Sequence, residues 1–405
     1  LKKAILFILL LLITAASFCQ LTAPIIPGAE RMELYLPLLK GKSVAIFANQ
    51  TSMVKNTTLV DTLLSKGVKI VKIFGPEHGF RGDADAGEEL GNGVDKKTGI
   101  TIVSLYGNHK KPTPDDLKNV DVIIFDLQDV GVRYYTFIAS LQYCLEAALE
   151  NQKLFLLLDR PNPNGFYVDG PVLDPKFKSF VGMQPVPIVY GMTLGEYATM
   201  LIGEKLLSAD ANKNAAINIT SCFTVIKCKN YDHNSKYILP VMPSPNLKEM
   251  QAIYIYPSTC FFEGTVLSEG RGTDKPFEIF GHPALPKTLY SFTPRPNAGA
   301  KNSKCFYQLC YGWNISGTTE KALKIVDGKI QLKYLLEAYK LFPGKDSFFL
   351  KTNFFNNLAG NDILMHQIKD GKTEAQIKQS WEPALRNFKK TRKKYLLYKD
   401  FTSAN

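Results

Sequence analysis

An α/β fold is what this 405-residue sequence predicts: a parallel sheet covered by helices in its first half, and a unit of different construction in its second. Three observations carry the prediction. Short apolar runs alternate with helical patterns over residues 43–207, the rhythm of strand–helix–strand units. Several of those runs, 120–125 above all, are apolar without interruption, as strands buried on both faces must be. Past residue 247 the rhythm stops.

Taken in order, 43–48 is the first apolar run and 57–65 has helical spacing. Residues 68–74 and 100–105 are β-rich, 120–125 is the continuous run, and 134–150 reads as a helix. A second buried strand is expected at 153–158, and 186–190 followed by a helix at 193–207 continues the series. The chain then turns Pro-rich over 242–257 (Pro243, Pro245, Pro257) and Gly-rich over 263–281. Residues 333–342 and 375–398 are again helical in pattern, and no internal repeat is evident. The expected units are 23–247 and 248–405.

Composition and charge narrow the function classes. Hydrophobic residues make up 45% and charged residues 21%, a balance that excludes a disordered chain. Lys2 and Lys3 before the apolar stretch 4–13, with small residues at 14–17, read as an export signal over residues 1–19. The destination is then the periplasm or the medium. Phe18 stands where a lipidation site wants a small residue, which argues against a lipid on Cys19. No second long apolar stretch follows, so no membrane segment is expected after cleavage. The net charge of +12 is concentrated late, at Lys389, Lys390, Arg392, Lys393 and Lys394, and reads as the solvated face of a terminal helix. No motif supports nucleic-acid binding. Export permits disulfides, for which Cys222/Cys228 and Cys305/Cys310 are the close pairs; no cysteine has zinc-site spacing.

The functional signal lies in where polar residues fall. Asn49-Gln50-Thr51-Ser52 follows the first predicted strand, and Gly75-Pro-Glu-His-Gly-Phe-Arg-Gly82 the second. Tyr106-Gly107 follows the third, Asp126-Leu-Gln-Asp-Val-Gly-Val-Arg-Tyr-Tyr135 the fourth, and Asp159-Arg-Pro-Asn-Pro-Asn-Gly165 the fifth. The carboxyl ends of a parallel sheet share one edge, where ligands bind, so five segments should converge on one cleft. Neither G-x-G-x-x-G after the first strand nor a P-loop is present, so no nucleotide cofactor is expected. A G-x-S-x-G elbow is also missing, and His78 with Asp126 or Asp129 lacks metal-ligand spacing, so no metal is expected.

Glu77 is the best candidate acid, in a loop tightened by Pro76 and glycines; the alternative is an ion pair with Arg81 that pins the loop. For a second carboxylate the choices are Asp126, Asp129, Glu263 and Glu269, with Asp126 alternatively a helix cap and Glu269 a partner for Arg271. Asp159 reads as a structural ion pair with Arg160. Asn162 and Asn164 can read sugar hydroxyls, although they sit where turns form, and Asn49 and His78 are further candidates to bind substrate. Tyr134, Tyr135 and Tyr190 either stack on a pyranose or cover the sheet edge.

These motifs resemble the NamZ-type exo-β-N-acetylmuramidases, glycoside hydrolase family 171. Ser268-Glu-Gly-Arg-Gly-Thr273, Val186-Pro-Ile-Val-Tyr-Gly-Met-Thr-Leu-Gly-Glu196, Met242-Pro-Ser-Pro-Asn-Leu247 and Leu358-Ala-Gly-Asn-Asp362 extend the match over nearly the whole chain after the signal. Lys248 stands where the family pattern would have proline. The resemblance implies a Rossmann-like catalytic domain and a smaller α+β C-terminal domain that completes the cleft. It implies release of N-acetylmuramic acid from the non-reducing end of MurNAc-GlcNAc glycans, with Glu77 the catalytic residue. Arg81, Arg133, Arg160 and Arg271 are then candidates for the lactyl carboxylate of the muramic residue. The rivals are a non-catalytic wall-sugar-binding protein and a metal-dependent amidase or esterase on the same polymer.

Overall fold

The computed structural model describes residues 23–77, 79–80 and 91–402. The expected export signal, Cys19, His78 and Arg81 lie outside the described residues. The first half holds a seven-stranded sheet. Its strands are β1 (Ser43–Ala48), β2 (Lys69–Gly75), β3 (Gly93–Val94), β4 (Thr101–Ser104), β5 (Val122–Asp126), β6 (Leu154–Leu158) and β7 (Phe223–Ile226). They lie in the order β3-β4-β2-β1-β5-β6-β7, all parallel except the β3 edge. Without that edge this is the doubly wound Rossmann order, with its switch point between β1 and β5.

The uninterrupted apolar runs are explained by period-two side-chain alternation between two separate cores. Ala45, Phe47, Ile123, Phe125, Phe155 and Leu157 face one side of the sheet. Val44, Ile46, Val122, Ile124, Leu156 and Leu158 face the other. The second side is covered by α1 (Met32–Leu39) and α2 (Leu59–Ser65), through Tyr35, Leu39, Leu59 and Leu63. The first is covered by α3 (Phe137–Glu150), α4 (Leu194–Gly203) and α5 (Ala209–Cys222). The Thr58 hydroxyl caps α2, and Thr193 with Glu196 forms a capping box on α4.

The second half opens with α6 (Met250–Thr259), buried along its whole length. A three-stranded antiparallel sheet follows, β8 (Ile279–His282), β9 (Tyr290–Phe292) and β10 (Cys310–Asn314), in the order β8-β10-β9. After it come α7 (Thr319–Val326), which packs along α6, α8 (Lys333–Leu341), whose Tyr334 packs on Phe280 and Trp313 of the sheet, α9 (Phe354–Ala359), α10 (Ile363–Lys369) and α11 (Glu374–Lys393). The core of the first half continues without a break into this part through Ile253, Phe261, Phe280, Leu335 and Trp381.

The late basic run is divided by its helix. Ile377, Trp381, Leu385, Phe388 and Arg392 face inward, while Lys390, Lys393 and Lys394 are exposed. Buried Arg392 donates to the Gly191 carbonyl and pairs with Asp400. Beyond it the chain straps back across the first half. The Leu397 N–H donates to Glu196 at 2.8 Å, the Tyr398 hydroxyl donates to Asp159 at 2.6 Å, and the His233 N–H donates to the Lys399 carbonyl. Among the described residues no helix is long and apolar enough to cross a membrane.

Three expectations differ from the structure. Residues 186–190 make only isolated bridges, Val189 with Val132 and Asp169, because the segment crosses the sheet's edge instead of joining it. The last strand is β7, entered from α5. Both were hidden: β7 is four residues long and only partly buried, and α5 carries Asn212, Asn214 and a non-helical Asn218. The six cysteines in the described region carry no disulfide, although the Cys305 and Cys310 thiols of the second close pair are in hydrogen-bond contact. Cys222 and Cys228 flank β7, whose four extended residues alone span about 10 Å, beyond the ~7 Å a disulfide bridges.

Candidate active site

The sheet's carboxyl edge carries two polar constructions, and only one is open. At the β1/β5 switch point, where this topology usually receives a ligand, the loops bond to each other. Asn49 accepts from the Thr51 N–H and hydroxyl, the Thr51 hydroxyl accepts from the Gln128 N–H, and the Ser52 hydroxyl donates to the Asp126 carbonyl. Arg160 grips Asp126 with two bonds of 2.6 and 2.9 Å, both side chains buried. Burial pushes the Asp126 carboxyl up, and Arg160 pulls against it. Asp159 partners not Arg160 but Thr193, Gly195 and Tyr398.

The open construction lies to one side, between β2, β4 and the second half. It is a cavity of about 1120 Å³, above the range of an ordinary small-molecule pocket (about 300–1,000 Å³). Glu77 stands two residues beyond β2, in a turn closed by a bond from the Gly79 N–H to the Pro76 carbonyl. Its two carboxylate oxygens are fixed separately. The Tyr106 hydroxyl donates to Oε1 at 2.9 Å and the Thr136 hydroxyl to Oε2 at 2.8 Å. Tyr106 follows β4, the strand beside β2, and Thr136 stands directly before α3.

The second half supplies Glu263, Glu269, Arg271 and Lys304 to the same cavity. The Arg271 guanidinium reaches Glu263 at 2.5 Å and Glu269 at 3.2 Å. Lys304 reaches Glu269 at 2.8 Å and donates to the Phe262 and Thr265 carbonyls. Burial alone would raise Glu269, but Lys304 and Arg271 outweigh it and hold the carboxyl below its ordinary range. Burial works against the Arg271 charge, and Glu263 and Glu269 more than restore it. The loop reaches this position because Gly270 and Gly272 adopt φ +81°; a Cβ there would meet the carbonyls of Ile279 and Arg295 at 2.4 and 2.6 Å.

Of the residues expected from sequence, the cavity therefore collects Glu77, Tyr134, Tyr135, Glu263, Glu269 and Arg271. Asn49, Asp126, Asp129, Arg133, Arg160, Asn162, Asn164 and Tyr190 are not among its lining residues. Arg133 is fully buried and donates to the carbonyls of Pro171, Val186 and Leu358, tying the two halves together. Asn162 donates to the Met192 carbonyl and Asn164 to those of Val130 and Ile253. The hydroxyls of Tyr134 and Tyr135 donate to the Pro257 and Pro243 carbonyls. Tyr106, Thr136 and Lys304 were not expected as site residues. The signal for Tyr106 was its place at a strand's carboxyl end; Lys304 lies in a loop without pattern. Among the described residues no group of three or more His, Cys, Asp or Glu is arranged to hold a metal ion.

Two family models cover nearly all of the described chain: the N-terminal part of exo-β-N-acetylmuramidase NamZ matches residues 44–251 and its C-terminal part residues 254–398. The chain belongs to the NamZ family. It is 40% identical over 390 residues to the peptidoglycan β-N-acetylmuramidase NamZ of Bacillus subtilis strain 168, covering 90% of this chain and 89% of that protein. Two crystal structures of DUF1343-family proteins from Bacteroides fragilis share the NamZ fold. One has a TM-score of 0.83 at 46% identity, covering 93% of this chain and 100% of the other. The second has a TM-score of 0.78 at 28% identity, covering 93% and 99%. The NamZ fold thus keeps the Rossmann strand order but leaves its switch point closed in this chain.

Asp129 gives a check on that closed region. It accepts from the Gly131 N–H and the Tyr190 hydroxyl. Burial pushes its carboxyl up to about 6 despite both donors. The unfolded chain releases this proton near pH ~3.9, so between about pH 4 and 6 the folded chain binds more protons. Asp129 therefore costs stability increasingly as pH rises through that interval. In an Asp129→Asn chain the melting temperature, relative to wild type, is expected to climb from pH 4 to pH 7. A gap that does not change with pH, measured by calorimetry, would contradict the assignment.

Proposed function

We propose that this chain is an exported, exo-acting glycosidase that releases N-acetylmuramic acid from the non-reducing end of peptidoglycan-derived glycans. The observation that carries the reading is one cavity that holds Glu77, fixed at both oxygens by hydroxyls, together with the carboxylates Glu263 and Glu269. Glycoside cleavage needs such a pair: one carboxyl to protonate the leaving oxygen, another to stabilise the oxocarbenium-like centre or activate water. Glu77 takes the acid role. Glu263 takes the second, because among the described residues its Oε2 meets only the Cys260 thiol, at 3.4 Å, while Oε1 holds Arg271. Glu269, with one oxygen on Arg271 and the other on Lys304, acts as an anchor. The muramic substrate is supported by family membership and by the name of the Bacillus subtilis relative. Export is supported by Lys2, Lys3 and the apolar stretch 4–13.

The test is mass spectrometry of a MurNAc-GlcNAc disaccharide after incubation with the protein. Free N-acetylmuramic acid and N-acetylglucosamine are expected, in equal yield with and without a chelator. Disaccharide that binds but is recovered intact would favour a wall-sugar-binding protein instead. Products that disappear on chelation would favour a metal-dependent enzyme.

A further inference from the structure

Among the described residues, the structure limits which cation can meet an anionic substituent on the sugar. Arg133 and Arg160 are not among the cavity's lining residues, and Arg271 and Lys304 already neutralise Glu263 and Glu269. Lys301, also on the wall, has a contact of its own. Lys110 differs. Its neighbours in sequence are spent on acids: His109 pairs with Asp116 at 3.0 Å, and Lys111 with Glu146 and Glu150 at 3.3 and 2.7 Å. Lys110 lines the cavity half-buried, and its ammonium lies 5.1 Å from the centre of the Phe180 ring with no acidic partner among the described residues.

Phe180 connects that ammonium to the reacting end of the cleft. Its ring stacks on Tyr143 at 6.4 Å and packs 6.0 Å from Tyr106, the residue whose hydroxyl holds Glu77. Glu77, Tyr106, Phe180 and Lys110 thus form one continuous wall: a carboxyl, an aromatic face and a positive charge in sequence. A pyranose placed with its glycosidic oxygen at Glu77 would lie along the aromatic face, with its ring substituents directed toward Lys110. An ammonium on a flexible stem acts as a point charge, suited to a carboxylate whose position varies with the sugar's pose.

We propose that Lys110, set against Phe180, is the specificity-determining residue that binds the lactyl carboxylate of the muramic residue and so separates it from N-acetylglucosamine. This rests on the glycosidase reading above. The test compares chromogenic β-glycosides of N-acetylmuramic acid and N-acetylglucosamine, which differ only in the lactyl group, on wild type, Lys110→Met and Lys110→Arg. In Lys110→Met the ratio of kcat/KM for the muramic over the glucosamine substrate is expected to fall about ten-fold or more, mainly through KM, as loss of a charge-assisted bond to bound substrate requires. Lys110→Arg should recover much of the ratio. If the glucosamine substrate is too slow to measure, calorimetry of the two free sugars on Glu77→Gln and Glu77→Gln/Lys110→Met proteins reads the same ratio from binding. An unchanged ratio in an active enzyme overturns the Lys110 assignment alone. Wild type that turns over neither glycoside overturns the glycosidase reading, and the assignment with it.

Discussion

Glu77→Gln is expected to lower kcat on a β-N-acetylmuramide by about 10²–10⁴-fold, the usual weight of a positioned general acid, while the protein melts as wild type does. The substitution keeps the shape of the side chain. Its amide oxygen can still accept from Tyr106 or Thr136, so the turn after β2 stays anchored. What it lacks is a proton to transfer. Because the loss lies in the chemical step, kcat and kcat/KM should fall together and KM should change little. A folded Glu77→Gln protein that keeps near-wild-type kcat would remove Glu77 from the mechanism. The substrate's leaving group sharpens the result: an activated phenol needs less help than a sugar hydroxyl, so the defect should be larger on the natural disaccharide.

Asp126→Asn is expected to do the opposite: a large loss of stability with little change in the turnover of whatever remains folded. Asp126 and Arg160 are both buried, joined by two bonds at the closed switch point. Removing one charge leaves the other uncompensated inside the protein, which costs about 3–5 kcal/mol. That is a large part of a typical folding free energy of about 5–15 kcal/mol. Denaturant titration followed by tryptophan fluorescence measures it, with Trp381 buried in the shared core as the reporter. A stable Asp126→Asn protein with collapsed kcat would instead place Asp126 among the reacting groups.

These two acids show how far sequence reading reaches. Glu77 and Asp126 both stand at the carboxyl ends of buried strands, in motifs dense with polar residues, and nothing in one dimension separates them. The separation is made by what arrives from elsewhere: Arg160 from the next strand meets Asp126, while hydroxyls from two other loops meet Glu77. The parallel sheet was readable because its strands announce themselves as unbroken apolar runs. Strand β7 was not, since a short, partly exposed edge strand needs neither strict alternation nor a long run. The second wall was half readable: glycines in 268–273 marked a loop that must approach closely, and Arg271 lay within it. Lys304 and Lys110 carried no local signal, since a lysine's role depends on which acids it finds in three dimensions, and Lys110 finds none among the described residues.

The strap formed after α11 bears on how the chain reaches its folded state. Leu397 and Tyr398 complete the bonding of Glu196 and Asp159 across separations of 201 and 239 residues. Contacts of such long range form slowly, because the intervening loop must close before they reward it. During synthesis the Rossmann sheet therefore exists for a time with two buried carboxyls short of their donors. The bonding of the first half is thus completed from the second, and the segment after α11 acts as a latch across the two.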